Sequence, residues 1–152
     1  MDMTYLLILF VVAVALAPLS HFIPSKRQRQ IARLREYAAV HGLFVEFRDL
    51  PGLAPGGRRD PACAQTIYYG RRLPASRKKS AGSQAWLRDG EAWRALERST
   101  GIPAALGELP PQVLAASADE NSCGAYWRES GGVEVVEQIR QALEAWSGQL
   151  RG

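Results

Sequence analysis

From Tyr5 to Ile23 the chain reads YLLILFVVAVALAPLSHFI, nineteen residues without one Asp, Glu, Lys or Arg. At about 1.5 Å per residue such a run spans about 28 Å as a helix, close to the roughly 30 Å hydrocarbon thickness of a bilayer. Leu, Ile, Val and Phe dominate as far as Leu16, Tyr5 and His21 suit the two interfaces, and Pro18 falls near the end, where an early exit costs little. Residues 1–24 are therefore expected to form one transmembrane helix. A cleaved signal peptide competes, because Ala15-Leu16-Ala17 offers small residues at a cleavage spacing. Against it, Met1-Asp2-Met3 supplies no basic residue ahead of the apolar run, and the cut would fall directly before Pro18.

The flank sets the expected orientation. Residues 25–35 read SKRQRQIARLR, with Lys26, Arg27, Arg29, Arg33 and Arg35 positive and no acid. Basic flanks stay on the cytoplasmic side. The N-terminus is thus expected outside, and residues 25–152 on the cytoplasmic side of the membrane. The net charge of +4 conceals the same bias: residues 25–98 hold 16 Lys and Arg against 7 Asp and Glu, whereas residues 99–152 hold 3 against 7. The basic half adjoins the apolar run, which suits an anionic lipid surface; a merely solvated basic face is the plain alternative. The 16 Arg against 3 Lys fit a GC-rich coding sequence better than a demand for guanidinium chemistry.

Behind the flank, about 110 residues remain, enough for a single packed core. Ser25 can cap a helix running to about His41, with Gly42 as its stop and Ile31, Leu34, Ala38 and His41 as its stripe. His41, at the helix end, reads as a cap or core residue. Leu43–Arg48 alternates like a strand with Leu43, Val45 and Phe47 on one face, and Thr66–Gly70 reads as a second strand. Residues 51–61 and Pro74–Ser83 are loops. Asp89-Gly90 predicts a type I′ turn pairing Arg88 with Glu91 and Trp86 with Trp93, with a helical turn over Glu91–Arg98 as the alternative. Val113–Ala116 and Gly124–Glu129 are expected strands joined by Ser117–Ser122. Val136, Ile139, Leu143, Trp146 and Leu150 then step by three and four along an amphipathic helix opened by Gly131-Gly132. The expected fold is α+β: a transmembrane helix, a basic helix over 25–42, and a small antiparallel sheet flanked by helices over 43–152.

Motifs for chemistry are missing. There is no phosphate-binding G-x-x-x-x-G-K-[ST], no dinucleotide G-x-G-x-x-G and no nucleophile elbow. Cys63 and Cys123 lie in no C-x-x-C and have no nearby His, so neither zinc nor redox chemistry is expected. Asp119-Glu120-Asn121 lacks the spacing of a calcium loop and reads as a solvated turn. No catalytic, cofactor or metal residue is expected. Arg58-Arg59, Arg71-Arg72 and Arg77-Lys78-Lys79 interleave with Tyr68, Tyr69 and Trp86, a pattern used on single-stranded nucleic acid, although aromatics on short strands are more often core. Arg71, Arg72, Arg77, Lys78 and Lys79 are the possible basic binding surface.

A span ending at Pro24, a basic Gln/Arg run at residues 26–30 (KRQRQ) and a small β-rich domain together resemble the layout of the YajC family, accessory subunits of the bacterial preprotein translocase. The likeness covers about the first 45 residues. Leu43–Phe47 stands where that family carries a Gly-rich strand segment, so no functional residue transfers. The resemblance implies an accessory place beside a membrane complex. The expectation is a non-catalytic interaction or scaffold domain whose partners are the bilayer and another protein. The alternative is a membrane-tethered binder of nucleic acid or of an anionic lipid surface.

Overall fold

The computed structural model describes residues 2–52, 66–75, 82–98 and 100–152. The chain forms two compact units, Met1–Ala32 and Arg33–Gly152. In the first, helix α1 (Met3–Leu16) continues into a 3-10 segment (Ala17–Phe22) that begins where Pro18 removes a backbone donor. Together, Met3–Phe22 make one 20-residue helix, long and apolar enough to cross a membrane, with none of its residues buried by protein. A signal sequence near an N-terminus has the same length and composition.

Helix α2 (Lys26–Val40) opens on a capping box. The Gln28 N–H donates to Ser25 Oγ (3.2 Å) and the Ser25 N–H to Gln28 Oε1 (2.9 Å), satisfying two donors that a helix start leaves orphaned. It closes as a Schellman motif: Leu43 N–H reaches the Ala38 carbonyl (2.9 Å) and Gly42 N–H the Ala39 carbonyl (3.3 Å). Gly42 carries the left-handed φ of +81° that this ending requires. The expected cap and stop are both in place. The buried residues are Leu34 and Ala38, with Tyr37 half-buried beside them. His41 is exposed, stacked on Tyr37 with ring centroids 4.0 Å apart.

The second unit is α+β. Six strands, β1 (Phe44–Glu46), β2 (Ile67–Arg72), β3 (Gln84–Asp89), β4 (Ala92–Ala95), β5 (Val113–Ala118) and β6 (Ser122–Trp127), form one antiparallel sheet in the order β1-β2-β6-β5-β3-β4. Alternation sends Ile67, Tyr69, Trp86, Trp93, Ala116, Cys123, Ala125 and Trp127 to one face. There they bury Leu34 and Ala38 of α2 and Val136, Ile139, Leu143 and Trp146 of α3 (Val133–Arg151). Trp86 meets Trp146 edge to face at 5.4 Å. A short 3-10 turn, Ala104–Glu108, adds Ala105 and Leu106 to this core; without a period of its own, it left no trace in the sequence pattern.

The other face is smaller: Tyr68, Ala115 and Tyr126, flanked by Phe44, Leu50 and Leu87. A Cβ at Gly70 or Gly124 would collide with the Tyr68 ring, so these glycines make the shallow bed on which it lies. Gly52 adjoins Leu87 and Leu96, which places the chain after β1 across this face. A β-bulge at Leu114 resets the alternation, so Val113 points to the main core and Ala115 to the opposite face.

Four local expectations change, the first in the last hairpin: its strands run Val113–Ala118 and Ser122–Trp127, so the connection is only Asp119–Asn121, and Arg128 and Glu129 lie beyond the strand. Phe47 does not join Leu43 and Val45 inside; it is 84% exposed, because β1 ends at Glu46 and the alternation ends with it. Leu150 is exposed too, on the last turn of α3. At the β3–β4 hairpin the central residues are Gly90-Glu91 rather than Asp89-Gly90, so Asp89 pairs with Ala92 and Arg88 with Trp93. Only Gly90 has a left-handed φ (+63°), the pattern of a II′ turn rather than I′. The slip displaces the register by two, an even number, so Trp86 and Trp93 keep a common face but sit diagonally. The Arg88 guanidinium lies 5.2 Å from the Trp93 ring and donates to the Pro110 carbonyl (2.7 Å), taking the place of the expected pair with Glu91.

Candidate functional site

The first unit presents the best-defined surface. Lys26, Arg27 and Arg29 share the first turn of α2, four to seven residues after Phe22, and every residue from Lys26 to Gln30 is exposed. The capping box holds that turn helical, and Arg29 Nε donates back to the Pro24 carbonyl (3.1 Å). The Arg29 guanidinium is thereby drawn back toward Pro24, at the end of the apolar segment.

Arg33 is exposed on the next turn, and Arg35 is half-buried and paired. Its guanidinium grips Glu129 with two parallel bonds, Nε to Oε1 at 2.7 Å and Nη2 to Oε2 at 2.9 Å. Tyr69 Oη donates to the same Oε1 (2.9 Å). The Glu129 side chain is only 5% exposed, and its backbone holds a left-handed φ of +53°. A non-glycine residue there is costly unless its surroundings hold it. Burial, then the neighbouring Glu129 charge, pushes the Tyr69 phenol far above its ordinary range, and the bond to Glu129 raises Arg35. Glu129 followed by Ser-Gly-Gly gave no sequence signal of this role, because its partners lie 94 and 60 residues away.

A second polar group joins α2 to α3. Tyr37 Oη donates to Glu137 Oε2 (2.8 Å), and Arg140 donates to both Glu137 oxygens (2.9 and 2.8 Å) and to Glu144 (2.7 Å). The Arg140 hydrogen bonds, then those from Tyr37 and Gln141, hold the Glu137 carboxyl down at about 2.

On the smaller sheet face Arg48 lies 4.1 Å from the Tyr68 ring centroid and donates to Glu46 Oε2 (2.6 Å), while Arg72 lies 5.1 Å from the Phe44 ring. Asp119 Oδ1 accepts the N–H groups of Asn121 and Ser122, both at 2.8 Å, which makes the expected solvated turn. Burial raises the Tyr68 phenol and the Cys123 thiol each to about 12. The Cys123 thiol donates to the Leu143 carbonyl (3.9 Å), and Tyr68 Oη lies 3.4 Å from Ser122 Oγ.

The possible basic surface is thus only partly described. Arg71 lies half-buried near Glu144 (3.9 Å) and Arg72 is exposed over Phe44, on opposite faces of β2. Arg58, Arg59, Arg77, Lys78, Lys79 and Cys63 lie outside the described residues. Tyr68, Tyr69 and Trp86 are at most 1% exposed, so these three rings are core and have no free face for a base. Among the described residues no group of three or more His, Cys, Asp or Glu is placed to hold a metal ion. No family model, curated protein or solved structure matches the chain.

Proposed function

We propose that the chain is a single-span protein of a bacterial inner membrane, N-terminus outside, with an α+β domain in the cytoplasm that serves as a non-catalytic accessory or scaffold module of a membrane complex. The observation that carries the reading is the fully exposed apolar helix Met3–Phe22 followed directly by Lys26, Arg27 and Arg29. An apolar surface of that extent needs a non-aqueous surrounding, and the cations after it favour retention of that side.

Alkaline phosphatase fused after Gly152 is expected to be inactive in cells, and an active, membrane-bound fusion reverses the orientation. A soluble product truncated near Ala17 identifies a cleaved signal sequence instead. Affinity purification of the full chain from a detergent extract is expected to retain one stoichiometric protein; its loss from every mild detergent counts against the accessory role.

A further inference from the structure

The turn that follows the apolar helix has a feature that membrane insertion alone does not require. Residues 26–30 are exposed and polar, yet the turn is held in one conformation by two reciprocal bonds between Ser25 and Gln28. A first turn that contributes nothing to a core is marginal on its own, since helix initiation is unfavourable. Here the capping box offsets that cost, and the Arg29–Pro24 hydrogen bond draws a guanidinium toward the end of the apolar helix. The result is three exposed cations on one helical turn, four to seven residues after Phe22, with Phe22 and Ile23 exposed just before them in the chain.

We propose that Lys26, Arg27 and Arg29 form a collar that binds the phosphodiester headgroups of anionic phospholipids. The proposal rests on the reading that Met3–Phe22 lies in a bilayer. The headgroup layer is then the anionic medium within reach of these side chains, at a local concentration that no soluble anion matches. Three cations in one turn fit one or two headgroups; a polynucleotide would need a basic track several phosphates long. A Lys or Arg near an anionic surface contributes about 1 kcal/mol, which is about fivefold in local association.

The test uses the full chain reconstituted in phosphatidylcholine vesicles doped with spin-labelled phosphatidylglycerol or spin-labelled phosphatidylcholine. Electron paramagnetic resonance reads the fraction of each probe immobilised by protein. The phosphatidylglycerol probe is expected to be enriched over phosphatidylcholine at low salt. The enrichment should fall about fivefold or more in K26Q/R27Q/R29Q, whose glutamines keep helix propensity, and should collapse in 1 M salt, where the screening length is about 3 Å. The charge-conserving R27K/R29K should retain it. Equal immobilisation of both probes by the wild type, or enrichment unchanged in the triple variant, overturns the collar. Displacement of the probe at constant ionic strength by inorganic phosphate or by a single-stranded oligonucleotide also overturns it, in favour of a free-phosphate or nucleic-acid site. Flotation with the vesicles after an alkaline wash is read in parallel: loss of flotation overturns the membrane reading as well, whereas flotation without enrichment overturns the collar alone.

Discussion

Arg35 and Glu129, ninety-four residues apart, meet in a two-pronged ion pair at 2.7 and 2.9 Å that holds α2 to the end of β6. The Glu129 side chain is almost wholly buried while the Arg35 side chain is 36% exposed. Their removal is therefore not symmetric. E129A leaves the buried Tyr69 hydroxyl without its acceptor, and a cost of about 2 kcal/mol is expected. E129G loses the same bonds but relieves the left-handed backbone of a side chain, so it should cost about 1 kcal/mol less than E129A. Thermal unfolding of the detergent-solubilised chain, followed by tryptophan fluorescence, measures both; E129G as damaging as E129A would refute the strain argument.

Gly42 and Gly148 should respond oppositely to one substitution. Neither has any atom near a new Cβ, so space is no factor. Gly42 sits at φ +81° in the helix ending, and G42A is expected to destabilise by about 1 kcal/mol. Gly148 lies inside α3, where G148A should stabilise by about 0.5–1 kcal/mol. Urea midpoints of the two variants are the measurement.

Gly124 tests the bed beneath Tyr68. A methyl group there would overlap the ring, and G124A is expected to cost about 1–3 kcal/mol by overpacking. Y68L shortens the obstacle, so G124A/Y68L should be less destabilised than the sum of its single substitutions. Additive behaviour in the double-mutant cycle would show that the ring does not rest on Gly124.

Glu137 predicts a pH dependence. Hydrogen bonds from Arg140 and Tyr37 lower its folded-state pKa to about 2 from an ordinary 4.5. A group whose pKa is depressed on folding binds fewer protons in the folded state, so its contribution is complete above the ordinary value and falls away as pH drops toward the folded one. The stability difference between wild type and E137Q should be flat above about pH 5 and shrink between 4.5 and about 2. Urea titrations across that range decide it, and a difference that persists at pH 2 excludes the ionised carboxylate as its source.

The elements that were legible in the sequence are those whose signals are local. The capping box at Ser25 and Gln28, the Gly42 stop, the Asp119 turn and the periodic face of α3 each depend on residues within a few positions of one another. The hairpin was legible as a hairpin, but its register was not. Choosing between Asp89-Gly90 and Gly90-Glu91 as the turn depends on whether Arg88 finds Trp93 and the Pro110 carbonyl, a contact 22 residues away. Phe47 alternated correctly but lay one step beyond the end of β1.

The candidate surfaces divide along the same line. Residues 5–23 and the cations from Lys26 to Arg29 declare themselves in the sequence because a bilayer and its interface respond to length, apolarity and charge, all of which are additive along a chain. Arg35 carries the same charge in the same run, yet the tertiary structure alone turns it inward to Glu129. The aromatic residues beside the arginines of β2 are likewise assigned to the core, not to a ligand, only by the six-strand order. Where a side chain ends up is decided by partners brought near through folding. The sequence by itself determined a charge-free apolar segment, its basic flank and an α+β pattern; the structure decided which of the charges face solvent and which hold the fold together.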